Sequence, residues 1–580
     1  MNNQDLRWLD GAGRITRAAV WVVCSLWGFL SIGLQAEARE VRPFSAGRQE
    51  LVFDRSGVRA ASGNQLLGAR NPSIPLAVPG ELALNTFLGS VKYEDAFSVA
   101  IDASGNVYVT GQSSASWGSP VRPFTGGVSD AFVAKLNPQG ELVWNTFLGG
   151  SISDAGTGIV VDAGGNTFVT GHSTSSWGTP IRPFSSGEDG FLARLSTNGA
   201  LLWNTFLGGS GYDYATEVAH DGVGNFYIAG TSSGTWGSPV TPRAALDDAF
   251  VARVTASGIL LWNTFLGGAN DDGASGIATT GSGYVYVAGG SDASWGSPLR
   301  PYTANSDAFV AMLNPYGSLI WGTFLGGSGD DRGRGIALDK LGCVWITGRS
   351  GATWGAPTRA YTASTDAFVA KLDSFGTLYW NTFLGGTGSD SGHCIAVDGT
   401  GSAAYVVGES SATWGAPVRP YTPSPREAFA AKLDAGGSLG WNTFLGGSDY
   451  DEGRAIASDA GGNLWVCGGS EATWGSPVQP FIGEKDAFVA KLAVSAGGPT
   501  IKKVTSKRAT RGSPATITGT GFSTNKTDNV VYFGGKKADI KRARAKRLNV
   551  NIPSKCKKGS VDVYVEVKGV KSNVVKFTVK

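Results

Sequence analysis

An acid returns along this chain at a nearly constant interval. Glu94, Asp154, Asp213, Asp272, Asp331, Asp390 and Asp451 follow one another at steps of 60, 59, 59, 59, 59 and 61 residues. Clustered carboxylates are what hard cations such as calcium select, and a calcium reading would rest on Asp272, Asp331, Asp390 and Asp451. No spaced ligand set such as DxDxDG surrounds them. The competing reading is that each acid caps its own turn by accepting backbone N–H groups. A second recurring set is aromatic and cationic. Trp117, Trp177, Trp236, Trp295, Trp354, Trp414 and Trp474 are followed by Arg122, Arg182, Arg300, Arg359 and Arg419, with Thr241 and Gln479 in the other two copies. Next come Phe124, Phe184, Tyr302, Tyr361, Tyr421 and Phe481, with Arg243 as the exception. Such sets either offer stacking platforms to a sugar or peptide or pin a loop to its own sheet. Their presence in every copy favours the second.

Positions that differ between otherwise similar copies are better candidates for a ligand. One column reads Gln112, His172, Thr231, Gly290, Arg349, Glu409 and Gly469; another reads Phe97, Thr157, Thr216, Ser275, Arg334, His393 and Arg454. Taken as loops, both columns open on one face around a central channel. They nominate Arg332, Arg334, Arg349, His393, Glu409 and Arg454, together with His172, as a ligand-binding set. A solvated loop surface is the alternative. Catalysis finds little footing. The three histidines, His172, His220 and His393, are far apart, and GxSxG, HExxH and a Gly-rich loop leading into a helix are all missing. No catalytic residue, cofactor or firm metal site is assigned.

The elements that must position these residues are short strands. From Asp95 to Gly149 the chain alternates apolar and polar residues in four runs, separated by the turns ASGN and NPQG and a long loop containing SWGSPVRPF. The phrase WNTFLGG starts at Trp144, Trp203, Trp262, Trp380 and Trp441, with WGTFLGG at Trp321 and a weaker copy, LNTFLGS, at Leu84. A fixed period of this kind means repeated units that bury one another. Seven first strands are counted, at Val99, Ile159, Val218, Ile277, Ile336, Ile395 and Ile456. The next residue in each, from Ala100 to Ala457, is small, as an innermost strand requires. The last copy lacks its fourth strand, and an orphan fourth strand, Leu82 to Gly89, precedes the first. Adding the orphan to the last copy removes an open edge. The expected fold is all-β: a seven-bladed β-propeller over residues 81–493, closed by its N-terminal strand, then an Ig-like sandwich over 499–580.

LGGSGDDRGRGIALD, GNVYVTG and DAFVAKLNPQGELVWNTFLGG resemble the bacterial SBBP-type β-propeller repeat. That resemblance implies an exported bacterial propeller and says little of activity. The spacing of Ala134, Gly140 and Trp144 is similar to the motif that docks blades in quinoprotein dehydrogenases, where it is structural. PTIKKV, GSPATITGTGF, NVVYFGG, VDVYVEV and SNVVKFTV resemble an IPT/TIG domain.

Composition adds location and partners. Arg7, Arg14 and Arg17 precede the uncharged run Ala18 to Leu34, and Ala36-Glu37-Ala38 follows it, so residues 1–38 read as a signal peptide. An uncleaved anchor is the alternative. Residues 39–80 read as a linker. The expected location is the periplasm, the cell surface or the outside. Cys343, Cys394, Cys467 and Cys556 show no metal spacing, and Cys394 with Cys467 either pair or stay free. From Pro499 onward 20 Lys and Arg face 4 Asp and Glu, a net of +16, while the rest of the chain is net −13. Lys541, Arg542, Arg544, Lys546, Arg547, Lys555, Lys557 and Lys558 therefore nominate an anionic polymer as partner of the tail. The role expected is non-catalytic recognition of an envelope glycan or protein. A polymer-cleaving hydrolase or lyase is the alternative.

Overall fold

The computed structural model describes residues 78–398, 401–493, 499–567 and 570–580. The expected leader (1–38) and all but the end of the expected linker lie outside these residues. Strand β1 (Leu82–Leu88) precedes the first repeat, which supplies β2 (Glu94–Ile101), β3 (Val107–Ser113), β4 (Asp130–Leu136) and β5 (Leu142–Leu148), paired antiparallel in that order. The turns between them are set locally. Asp102 Oδ1 accepts the N–H groups of Ser104 and Asn106 at 2.9 Å, and Gly105 takes a φ of 82° that other residues resist. The same four-strand order recurs in repeats two to six. Repeats two and three are joined into one eight-stranded sheet, because Ser186–Glu188 pairs in parallel with Ser210–Tyr212.

The last repeat supplies three strands, Asp451–Ser458, Leu464–Ser470 and Asp486–Leu492. Strand β1 adds the fourth, with Phe87 opposite Phe488 and Thr86 opposite Val489. Leu88, Val99 and Val107 then share a core cluster with Trp465, Cys467 and Val489, so the last repeat packs on the first. The result is a closed, propeller-like array whose cores lie between neighbouring sheets.

Two expectations are corrected here. The column from Phe97 to Arg454 is not loop: it sits inside the first strand of each repeat, at a β-bulge between Ala96 and Ser98 in repeat one and its equivalents elsewhere. The column from Gln112 to Gly469 likewise lies within strands, opposite Asp95 and its equivalents. The acid and small residue that read as a turn continue the ladder, and the bulge absorbs the extra residue. The tightest approach of inner strands also lies elsewhere than expected, at the column Ser98, Gly158, Glu217, Gly276, Gly335, Cys394 and Ala455. A Cβ on Gly335 would lie 2.8 Å from the Cα of Cys394 in the next repeat.

Beyond residue 498, strands Thr500–Thr505, Pro514–Thr520, Asn529–Phe533, Lys536–Arg544, Arg547–Asn551, Gly559–Val567 and Val575–Val579 form a β-sandwich. Ile517, Val531, Phe533, Leu548, Val563 and Val565 fill its core. Among the described residues no helix is long and apolar enough to cross a membrane.

Candidate functional site

The repeated residues are consumed by the ring itself. Trp117 and its equivalents are buried, each set edge-on against two phenylalanines of its own repeat, as with Phe132 and Phe147. They offer no platform. Asn145 Nδ2 donates to the Trp117 carbonyl at 2.8 Å, and the same bond recurs down the column. The arginines after them reach across the joint. Arg122 lies 5.7 Å from the ring of Trp177 in the next repeat, and Arg182, Arg300, Arg359 and Arg419 do the same to Trp236, Trp354, Trp414 and Trp474. Arg122 also donates to the carbonyls of Phe147 and Gly149, at 2.8 and 2.9 Å.

The fourth-strand tryptophans dock repeats as the motif implies, though most stay partly exposed. Trp144 Nε1 donates to the Thr197 carbonyl at 3.1 Å, and a Cβ on Gly199 would lie 2.7 Å from its ring. At the closing joint Gly80 stands where the turn glycine would be, 2.9 Å by its Cβ position from Trp441.

The acids cap their turns. Glu94 accepts from the Ser90 N–H at 2.8 Å and from the Ser113 hydroxyl at 2.9 Å. Asp272, Asp331 and Asp451 each accept from a serine hydroxyl (Ser291, Ser350, Ser470) and, with Asp390, from a glycine N–H. In Asp272, Asp331 and Asp451 those bonds occupy both of the oxygens a calcium site would need. Among the described residues no group of three or more His, Cys, Asp or Glu is gathered for a metal.

What remains is the non-repeated set on the inner strands. The bulge places each such residue against the next repeat. Thr157 donates to the Ala215 carbonyl at 2.8 Å, Thr216 to Ala274 at 3.0 Å, and His393 Nδ1 contacts the Gly453 carbonyl at 2.9 Å. Arg454 closes the circuit 5.8 Å from the Phe97 ring and pairs with Glu452. Repeats five to seven thus gather charge. Glu409 lies 2.7 Å from Arg426 and 3.7 Å from His393 Nε2. Burial opposes its ionisation, but His393, Arg426 and Arg454 outweigh burial and hold its carboxyl well below the usual range. Burial and the nearby Arg334 pull His393 down, against the upward pull of Glu409. Arg334 itself is pushed down to about 10, by burial first, with Arg349 and Arg454 adding to it against the pull of Glu409 and Glu452.

Of the residues nominated from sequence, Arg334, Arg349, His393, Glu409 and Arg454 therefore come together. Arg332 turns back onto the preceding repeat, 3.3 Å from Asp292 and against Gly290, whose missing side chain makes the room. His172 pairs instead with Glu188 and lies 5.1 Å from the Tyr214 ring. Arg426 and Glu452 went unnoticed, as did the buried pair of Lys485 and Asp95, 3.0 Å apart across the closing joint. Glu217 went unnoticed too. Their columns, one residue before Asp130 and one or four after Glu94, also fail to repeat, and the same test would have found them. In the tail all eight nominated cations are exposed; Lys541 pairs with Asp539. Cys394 and Cys467 are free thiols in one core cluster.

Among curated proteins, the Regulatory protein FlaEY of Caulobacter vibrioides is 24% identical over 383 residues, covering 60% of this chain and 39% of that protein. An uncharacterised WD repeat-containing protein of Acanthamoeba polyphaga mimivirus is 25% identical over 162 residues, covering 23% of this chain and 11% of the other. The chain thus spans well under half the length of either relative. Among solved structures, Kuenenia stuttgartiensis hydrazine synthase aligns at 10% identity with a TM-score of 0.40, covering 64% of this chain and 92% of that one. BamB from Moraxella catarrhalis aligns at 11% identity with a TM-score of 0.33, covering 71% and 99%. Residues 499–579 match the IPT/TIG domain.

Proposed function

We propose that this is an exported, non-catalytic recognition scaffold: a seven-bladed propeller of the SBBP type that holds an envelope glycan or protein on the face where its long loops emerge, with a basic Ig-like domain tethering it to an anionic polymer. Residues 1–38 act as the export signal and 39–80 as linker in this reading, with the propeller over 81–493. One observation carries it. Side chains that recur in every repeat are spent on joints, caps and cores, while the charged residues that do not recur, Arg334, Arg349, His393, Glu409 and Arg454, meet on the first two strands of repeats five to seven. A charge cluster with no part in the repeat serves something outside the repeat. The test is incubation with a panel of envelope polysaccharides and peptides, scoring both retention and released fragments. Retention that Glu409→Gln weakens, without fragments, supports the reading. Release of cleaved ends would replace it with the hydrolase or lyase alternative.

A further inference from the structure

The guanidinium of Arg334 has an unusual standing. It sits part exposed on the inner strand of repeat five and makes no hydrogen bond and no ion pair among the described residues. A guanidinium carries five donors, and those of Arg334 are not sealed in the core, so they are free to take a ligand. Every other cation of the neighbourhood with a described partner is engaged: Arg332 with Asp292, Arg426 with Glu409, Arg454 with Glu452 and Lys485 with Asp95. The two nearby acids that act on Arg334, Glu409 and Glu452, are already taken by Arg426 and Arg454. Two further guanidiniums, Arg349 and Arg454, act on it from close by. Ser391 Oγ, His393 Nε2 and Arg454 Nε are also buried without a hydrogen-bond partner in the same part of the ring.

We propose that this cluster binds a single oxyanion, a carboxylate or phosphate group carried by the ligand, with the Arg334 guanidinium as principal donor. The inference rests on the ligand-face reading above and deepens it by naming the group recognised. A planar guanidinium matches two oxygens of either anion at once, which a neutral sugar hydroxyl cannot supply. The unmet donors are the mark of a site built for a partner rather than for the fold.

The experiment uses the full chain and three probes, glucuronate, inorganic phosphate and neutral glucose, read by the shift of the Trp-fluorescence melting midpoint and by calorimetry. Glucuronate or phosphate should raise the midpoint and glucose should not; the stronger of the two tells a uronate source from a phosphate source. Arg334→Met should raise the midpoint in anion-free buffer, because an unpaired charge is removed, and should weaken anion binding by about 10-fold or more. Arg332→Met, which removes a paired arginine, should leave the anion response intact. A merely structural Arg334 would give the reverse, a lower midpoint with no change in the response. An Arg334→Met protein that binds both anions as the parent does overturns the proposal, as does a parent that binds neither. A neutral ligand retained through Glu409 while both anions fail would keep the recognition reading and sink this one.

Discussion

In the repeat array, carboxylates are buried in pairs at the joints between neighbours. Asp130 with Asp154, Asp189 with Asp213, Asp248 with Asp272, Asp307 with Asp331, Asp366 with Asp390, Glu427 with Asp451 and Asp486 with Glu94 each flank a glycine, Gly149 in the first case, where a Cβ would collide with them. In the C-terminal sandwich the core is apolar and the nominated cations point to solvent. One region thus spends its charge inward on geometry and the other outward. The lesson is that burial, more than sign or number, tells which charges serve the fold and which serve a partner.

Removing the closing strand tests the inward half of that contrast most severely. Deletion of Leu82–Leu88 exposes the edge of Asp486–Leu492 and uncovers the Phe488 side of the core, so the array should lose its cooperative melt and aggregate. Deleting residues 499–580 should leave the array's midpoint in place. Tryptophan fluorescence separates the two, because the sandwich contains no tryptophan. Equal damage from both deletions would erase the distinction.

A smaller loss is expected from Trp354→Ala. Trp354 is 4% exposed, packs edge-on to Phe368 and Phe383 and carries Arg300 at 5.3 Å. Truncation should cost about 3–5 kcal/mol in denaturant unfolding. A value below about 1 kcal/mol would return the loop tryptophans to the list of surface platforms.

The buried acids give the array a pH signature that the sandwich lacks. Burial pushes Asp154, Asp189, Asp331, Asp390 and Asp486 up to about 6, and Asp272, Glu427 and Asp451 up to about 7. A carboxyl raised on folding contributes stability that is complete below its unfolded value near 4 and is lost as pH rises through 6 to 7. Asp102, Asp221, Asp339 and Asp459, lowered by their turn hydrogen bonds against burial, act oppositely and lose their contribution as pH falls through their depressed values. The fluorescence midpoint should therefore fall between pH 5 and pH 8. A midpoint that climbs over that window would show the pairs to be held ionised. Glu217 sharpens the point, since burial pushes it up to about 8 with only its neighbour's N–H, from Val218, in support. Glu217→Gln should raise the midpoint most at pH 9, less at pH 6 and little at pH 4.

The smallest stability effect belongs to the outward charges. Replacing Arg542, Arg544 and Arg547 by serine should shift stability by about 0.5 kcal/mol or less, yet weaken retention on an anionic polymer. That retention should fade with salt, because exposed charges are screened over about 8–10 Å. Retention that ignores salt would remove the electrostatic account of the tail.

Much of this was legible before folding. Alternating apolar runs, Gly turns and a 59–61-residue period name strands and repeats, because those signals are local. The complementary loose ends at Leu82 and Leu492 announce the closing pair for the same reason. Whether Trp117 faces a ligand or a core was not legible, since an indole suits both; only its packing on Phe132 and Phe147 decides. Nor was the fate of Arg332, because the space it fills belongs to Gly290, 42 residues earlier. The bulge turned positions read as loop into positions on the inner strands, and tertiary structure alone decided which charges found partners. Among the described residues Arg334 is left with none, because Glu409 and Glu452, more than 70 residues away in sequence, are claimed by Arg426 and Arg454 of their own repeats.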